Sequence, residues 1–149
     1  MRNIAIVEDE DLAAKTLLES LDRYQKENGT KFNVVRFASA NDFLKDYTPI
    51  YAVVFMDIQM PGMNGMDASF ALRKIDQSVS LIFITSLMQF AQKGYEVDAV
   101  GYLLKPVTYY DLSMKLTKAL DIYVRNEKRN VVLGFSGGLC NISCDKLMY

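Results

Sequence analysis

The apolar run Val53-Val54-Phe55-Met56 leads straight into a lone carboxylate, Asp57, and then into Ile58-Gln59-Met60-Pro61-Gly62-Met63-Asn64-Gly65. Four apolar residues in a row are what a strand buried on both faces of a parallel sheet looks like. A carboxylate resists burial, so Asp57 is expected at the strand end, where the sheet opens to water. Other apolar runs end in the same manner. Asn3 to Val7 leads into Glu8-Asp9-Glu10, Leu81 to Ile84 into Thr85-Ser86, and Val100 to Leu104 into Lys105-Pro106. Parallel strands bring their carboxyl ends to one edge, where open α/β sheets bind ligands. Glu8, Asp9, Asp57, Thr85 and Lys105 should therefore converge. A cluster of carboxylates is costly, because like charges repel and raise one another's pKa. A hard divalent cation relieves that cost, and magnesium suits two carboxylates, a backbone carbonyl and waters. Lys105 adds a point charge fit for phosphate, and Thr85 a hydroxyl. Singly, each has a plainer reading: a capping Asp, a strand-end Thr, a solvated Lys. Together, at matched strand ends, they point to phosphate chemistry at Asp57.

The elements that must position these groups alternate. Strands are expected at Asn3 to Val7, Phe32 to Phe37, the run ending in Asp57, Leu81 to Ile84, and Val100 to Leu104. A helix from Leu12 to about Asn28 places Ala14, Leu17, Leu18, Leu21 and Tyr24 on one face, and Gly29 ends it. Ser39, with Asp42 at capping-box distance, opens a short helix bearing Phe43 and Leu44, with Tyr47 beyond. Pro61, Gly62 and Gly65 break the chain after the third strand. The next helix, to Ile75, carries Met66, Phe70, Ala71 and Ile75. A weak fourth helix spans Gln89 to Glu96. The last starts at Thr108, with Asp111 three residues on, and carries Leu112, Leu116, Ala119, Leu120 and Tyr123. Five strands alternating with five helices imply an α/β fold with a doubly wound parallel sheet.

Composition excludes several classes. The chain has 149 residues, is 50% hydrophobic and has a net charge of −1, so a real core is available and no global basic signal for nucleic acid exists. The absence of histidine rules out Ser-His and Cys-His nucleophilic catalysis within this chain. No apolar run is long enough to cross a bilayer, and Met1-Arg2-Asn3-Ile4-Ala5-Ile6-Val7-Glu8 meets an acid too early for a signal peptide. Cys140 and Cys144 read as free thiols of a cytoplasmic protein, since Cys-x-x-x-Cys alone is a poor metal signature.

The acidic pair Glu8-Asp9, the segment Asp57-x-x-Met60-Pro61-Gly62-x-x-Gly65, Thr85, and Gly101-Tyr102-Leu103-Leu104-Lys105-Pro106 stand in the order of a known family. From Asn3 to about Arg125 the chain resembles the receiver domain of two-component response regulators. The resemblance implies a flavodoxin-like sheet of order 2-1-3-4-5 and a phosphoacceptor at Asp57. It implies magnesium held by Asp9 and Asp57 directly, by Glu8 through water, and by the Gln59 backbone carbonyl. Thr85 would bond the phosphoryl group, Lys105 would pair with it, and Thr85 and Tyr102 would form the switch. The bond before Pro106 is expected to be cis. The phosphodonor would be a phosphohistidine on a sensor histidine kinase. Ser86, where the family most often has Ala, and Gln59 bear on how long the phosphoryl group lasts.

Residues 126–149 read as a linker followed by more strand-like sequence. Val131 to Phe135 and Cys140 to Ser143 suggest a hairpin around Gly137-Gly138, followed by Asp145-Lys146-Leu147-Met148-Tyr149. This is similar to the opening of a LytTR-type DNA-binding domain. The expected organisation is thus a receiver over 1–125 and an incomplete LytTR-like start over 126–149, with DNA-reading residues beyond Tyr149. The protein would act as a transcription-regulating switch, not a turnover enzyme. A homodimer is expected through the face of the fourth helix, fifth strand and last helix, offering Phe90, Tyr95, Tyr102, Tyr109 and Tyr110. Rival readings are a free-standing receiver acting on a protein target, a magnesium-dependent hydrolase and a flavin-binding protein. Such hydrolases carry a second Asp two residues past the first, where this chain has Gln59. Glu8-Asp9-Glu10 would repel the phosphate of a flavin.

Overall fold

The computed structural model describes residues 2–86 and 97–135, with side chains through Asn126. Its elements are β1 (Arg2–Val7), α1 (Asp11–Asn28), β2 (Phe32–Phe37), α2 (Ala40–Lys45), β3 (Tyr51–Asp57), α3 (Gly65–Ile75), β4 (Ser80–Thr85), β5 (Gly101–Leu104) and α4 (Tyr109–Phe135). The five strands form one sheet of order β2-β1-β3-β4-β5, every pair parallel. The doubly wound order expected from the sequence is the order observed. The expected helix from Gln89 to Glu96 lies outside the described residues.

Pleat alternation divides the core in two. Ala5, Val7, Val54, Met56, Leu81 and Phe83 face one side and pack against Phe43 of α2 and Met66, Ala68 and Leu72 of α3. Ile4, Ile6, Val53, Phe55, Ile82 and Ile84 face the other, against Leu17, Leu21 and Tyr24 of α1 and Leu112, Leu116 and Ala119 of α4. Every residue of β3 is buried, as a central strand covered on both faces requires.

Local signals set the helix ends. Gly29 takes the left-handed conformation (φ 61°) after α1. The Ser39 hydroxyl accepts from the Asp42 amide at 3.1 Å, Asn64 Oδ1 from the Asp67 amide at 2.9 Å, and Thr108 Oγ1 from the Asp111 amide at 3.3 Å.

Three expectations about packing are corrected. Leu18 is 39% exposed, because Ala14, Leu17, Leu21 and Tyr24 already complete the buried stripe of α1. Phe70 and Ile75 face outward, because α3 buries Gly65, Met66, Ala68, Ser69 and Leu72 instead. Val131 to Phe135 is helical, not a strand, and continues α4 without a break. Once a helix is nucleated, each added residue gains a backbone hydrogen bond, and Arg, Glu and Lys in the segment before Val131 are good helix formers. Residues 136–149 lie outside the described residues.

Candidate functional site

The carboxyl ends of β1, β3, β4 and β5 meet at one edge of the sheet and carry the groups singled out above. Asp57 is the last residue of β3. It was expected where the sheet opens to water, but it is 1% exposed. Its burial is tolerated because a cation comes from far along the chain. Lys105 Nζ lies 3.4 Å from Asp57 Oδ2, 3.1 Å from Glu8 Oε1 and 3.9 Å from Glu10 Oε1. The Gln59 amide donates to Asp57 Oδ1 at 3.2 Å.

Glu8 is fully buried and Asp9 half-buried. Oxygens of Glu8, Asp9 and Asp57 lie within 4.8 Å of one another. Burial pushes the Glu8 carboxyl up to about 7, and its contact with the Asp57 carboxylate adds to the effect. Burial also raises Asp57, although Glu8 and Lys105 pull it back. Burial works against the Lys105 ammonium, but Asp57 and Glu8 outweigh it and hold its pKa above the usual lysine value. Lys105 alone therefore offsets the buried carboxylates only in part.

The other expected residues take their places around this cluster. Thr85 is fully buried at the end of β4, and its carbonyl accepts from the Lys105 amide at 3.0 Å, which joins the β4 and β5 ends. The Lys105–Pro106 peptide is cis. Tyr102 is half-buried, its ring 5.4 Å from that of Phe83. Gln59 is exposed, and its side-chain oxygen accepts from the Ser86 hydroxyl at 2.9 Å. Sequence reasoning passed over Arg36. It sits near the carboxyl end of β2, where Nε donates to the Glu8 carbonyl at 2.9 Å and Nη1 to Asp11 Oδ1 at 2.9 Å. A single charged residue late in the mostly apolar run Phe32-Asn33-Val34-Val35-Arg36-Phe37 was the available signal.

The donors fit a hard divalent cation. They are all carboxylate oxygens, and Asp9 Oδ1 is buried with no hydrogen-bond partner. A buried acceptor left unbonded is costly, and a cation would satisfy it.

A doubly wound parallel sheet with an acidic pair, a buried aspartate, a threonine and a lysine at its carboxyl edge defines a receiver. Residues 4–117 match the response regulator receiver domain, and the chain belongs to that family. It is 35% identical over 120 residues to the positive alginate biosynthesis regulatory protein of Pseudomonas aeruginosa, covering 78% of this chain and 46% of that protein. It is 33% identical over 118 residues to the sensory transduction protein LytT of Bacillus subtilis (strain 168), covering 79% and 48%. The chain thus spans about half the length of these curated relatives. Among solved structures it is similar to the non-phosphorylated HemR receiver domain from Leptospira biflexa, with a TM-score of 0.69 and 22% identity over 80% of this chain and 94% of that one. It is also similar to the BeF3-activated DrrB receiver domain, with a TM-score of 0.65 and 24% identity over 81% and 98%. Receivers of this family are generally switches rather than turnover enzymes. Among the described residues no helix is long and apolar enough to cross a membrane.

Proposed function

We propose that this receiver takes a phosphoryl group onto Asp57 from a phosphohistidine of a sensor histidine kinase. The observation that carries this reading is the buried Asp57 carboxylate held among Glu8, Asp9 and Lys105 at one sheet edge. An Asp57 oxygen attacks phosphorus, the phosphorus–nitrogen bond breaks, the histidine leaves, and an aspartyl phosphate remains. Asp9, Asp57, Glu8 through water and the Gln59 carbonyl would hold magnesium, which when bound neutralises charge on the transferring group. Lys105 stands 3.4 Å from Asp57 Oδ2, placed to pair with a phosphoryl oxygen. Thr85 then turns its hydroxyl toward the phosphoryl group, and Tyr102 moves into the space behind it. Phosphorylation shifts the populations of two pre-existing states.

The test is intact mass after incubation with a small acyl phosphate. Wild type should gain one phosphoryl group with magnesium and none once the metal is chelated. Asp9→Asn should gain it slowly and bind magnesium more weakly by calorimetry. Full phosphorylation in chelator would refute the metal's role.

Magnesium binding should release protons. Glu8, raised to about 7, is largely protonated in the metal-free protein at mildly acidic pH, whereas the metal site needs it ionised. Affinity should therefore climb as pH rises through about 7 and level off above it. The sign for folding is opposite. A carboxyl whose folded pKa lies above its unfolded value stabilises the fold below the unfolded value, and that contribution is lost as pH rises through about 7. Calorimetry in buffers of different ionisation heat measures the released protons. Equal apparent heats in all buffers would contradict this.

Residues 126–149 hold the linker and the incomplete start of a LytTR-like output domain, and the whole protein controls transcription in the cytoplasm. Support comes from relatives of which the matched region covers only 46% and 48%, and from the apolar pattern of Cys140 to Ser143. DNA would be read only beyond Tyr149.

The signal leaves through a homodimer on the face of β5 and α4. Leu104, Tyr110 and Met114 are 45%, 70% and 52% exposed there. Tyr109 does not belong to it: its hydroxyl donates to Glu27 at 3.1 Å and the Arg23 guanidinium covers its ring at 4.0 Å, so it serves the contact with α1. Phe90 and Tyr95 lie outside the described residues. Sedimentation should show phosphorylation-strengthened association in wild type, weakened several-fold in Tyr110→Ala. A monomer in every state would remove this face.

A further inference from the structure

We propose that Arg36 is a positioning residue for the acidic loop: its guanidinium fixes the Glu8–Asp9 peptide so that Asp9 can share a divalent cation with Asp57. This rests on the magnesium reading above. Arg36 is paired with Ile6 across β2 and β1. From there its Nε donates to the Glu8 carbonyl at 2.9 Å, while the carbonyl of the next residue, Phe37, accepts from the Glu8 amide at 3.0 Å. Consecutive residues of β2 thus grip Glu8 at both its amide and its carbonyl. Nη1 reaches on to Asp11 Oδ1 at 2.9 Å, at the start of α1. One side chain therefore ties together the end of β1, the end of β2 and the first turn of α1, on either side of Asp9.

Besides Arg36, the loop is held by Lys105 Nζ, 3.1 Å from Glu8 Oε1, and by the Ala14 amide, which donates to the Glu10 carbonyl at 3.0 Å. Glu10, at the N-cap of α1, makes no side-chain capping bond. Its amide bonds only within the loop, to Glu8 Oε2 at 3.3 Å. Asp9 Oδ1 has no hydrogen-bond partner, so no bond to that oxygen fixes it. Glu8 and Asp9 are the two residues joined by the gripped peptide, so any slack there moves both carboxylates relative to Asp57.

Arg36 could instead matter only as a charge, and the two roles predict opposite signs. A cation beside Glu8, Asp9, Glu10 and Asp11 repels an incoming metal, so losing the charge alone would tighten magnesium binding. Losing the clamp would weaken it. Lysine keeps the charge but offers a single point in place of a planar fork.

The experiment measures magnesium affinity by calorimetry on the full chain, with magnesium chloride alone, for wild type, Arg36→Lys and Arg36→Met. Thermal melts without metal run alongside. Both variants should bind magnesium about tenfold more weakly, as expected for a residue acting behind a ligand. Their melts should show folded protein. Wild-type affinity in Arg36→Lys with tighter binding in Arg36→Met would reduce Arg36 to a charge and overturn the proposal. Unchanged affinity in both would do the same. If Arg36→Met fails to fold, Arg36→Lys decides alone: weakened binding supports the clamp, wild-type binding refutes it. If wild type itself binds no magnesium, the metal reading and this inference fall together. Wild-type binding with unaltered variants removes only the inference.

Discussion

Asp57→Asn should gain no phosphoryl group from an acyl phosphate and magnesium under conditions in which the wild type gains one. An amide nitrogen or oxygen is far too weak a nucleophile to replace a carboxylate, so the loss should be complete rather than partial. The neighbouring carboxylates should not substitute. Glu8 is fully buried, and Lys105 Nζ engages its Oε1 at 3.1 Å. Unfolding would be a trivial cause of the loss, and here it is not expected. Burial raises the Asp57 pKa, so ionised Asp57 strains the fold at neutral pH, and a neutral amide relieves that strain. Asn keeps an oxygen able to accept from the Gln59 amide, and Lys105 keeps Glu8 as a partner at 3.1 Å. The variant should melt at or above the wild-type temperature without metal. Intact mass after incubation gives the answer. Equal gain in both proteins would remove Asp57 from the chemistry.

Gly65→Ala should cost the domain about 3 kcal/mol, the upper part of the range for overpacking. Gly65 opens α3, and its amide donates to the Ile58 carbonyl at 2.9 Å. A methyl there would land on the Asp57 carbonyl oxygen, with the Asp57 carbonyl carbon at 2.8 Å and Ile58 Cα at 2.9 Å. All three are backbone atoms of the buried strand end, so none can rotate away. Glycine is needed here for room, since nothing in the backbone angles demands it. The helix must back off from β3, and the loop after Asp57 must shift with it. A fall of roughly 10 °C in melting temperature follows for a domain of this size. Phosphorylation should slow as well, because the Gln59 amide rides on the displaced loop. A melt within one degree or so of wild type would show that the close approach is not real.

Much of this architecture is written in short-range pattern. Apolar runs such as Val53 to Met56 mark strands buried on both faces, and Ser39, Asn64, Thr108 and Gly29 stand at the helix ends they cap. The edge follows, because parallel strands leave no choice about where Glu8, Asp57, Thr85 and Lys105 gather. What pattern does not carry is partnership across the chain. Asp57 can be buried only because Lys105, 48 residues later, comes within 3.4 Å. Arg36 becomes a clamp only through the register that sets it beside Ile6, and in sequence it is one charge in a strand. Leu18, Phe70 and Ile75 fit an apolar stripe on paper, but each helix buries only the part of that stripe its sheet can cover. Val131 to Phe135 favours a strand by residue type, while the helix before it favours continuation, and the helix prevails.

That continuation matters for timing in space. α4 runs 27 residues from Tyr109, roughly 40 Å. Its first half is tied down: Tyr24 and Thr117 share a hydrogen bond at 2.8 Å, and the Arg2 guanidinium lies 5.2 Å from the centre of the Tyr123 ring. A helix held at one end is a shaft with a fixed angular phase. Each residue along it advances the direction by about 100°. The aim of the helix at Phe135 is therefore set by the receiver. Deleting one residue between Asn126 and Phe135 would turn that aim by more than a quarter revolution while shortening the reach by only about 1.5 Å. A flexible tether would not register such a change.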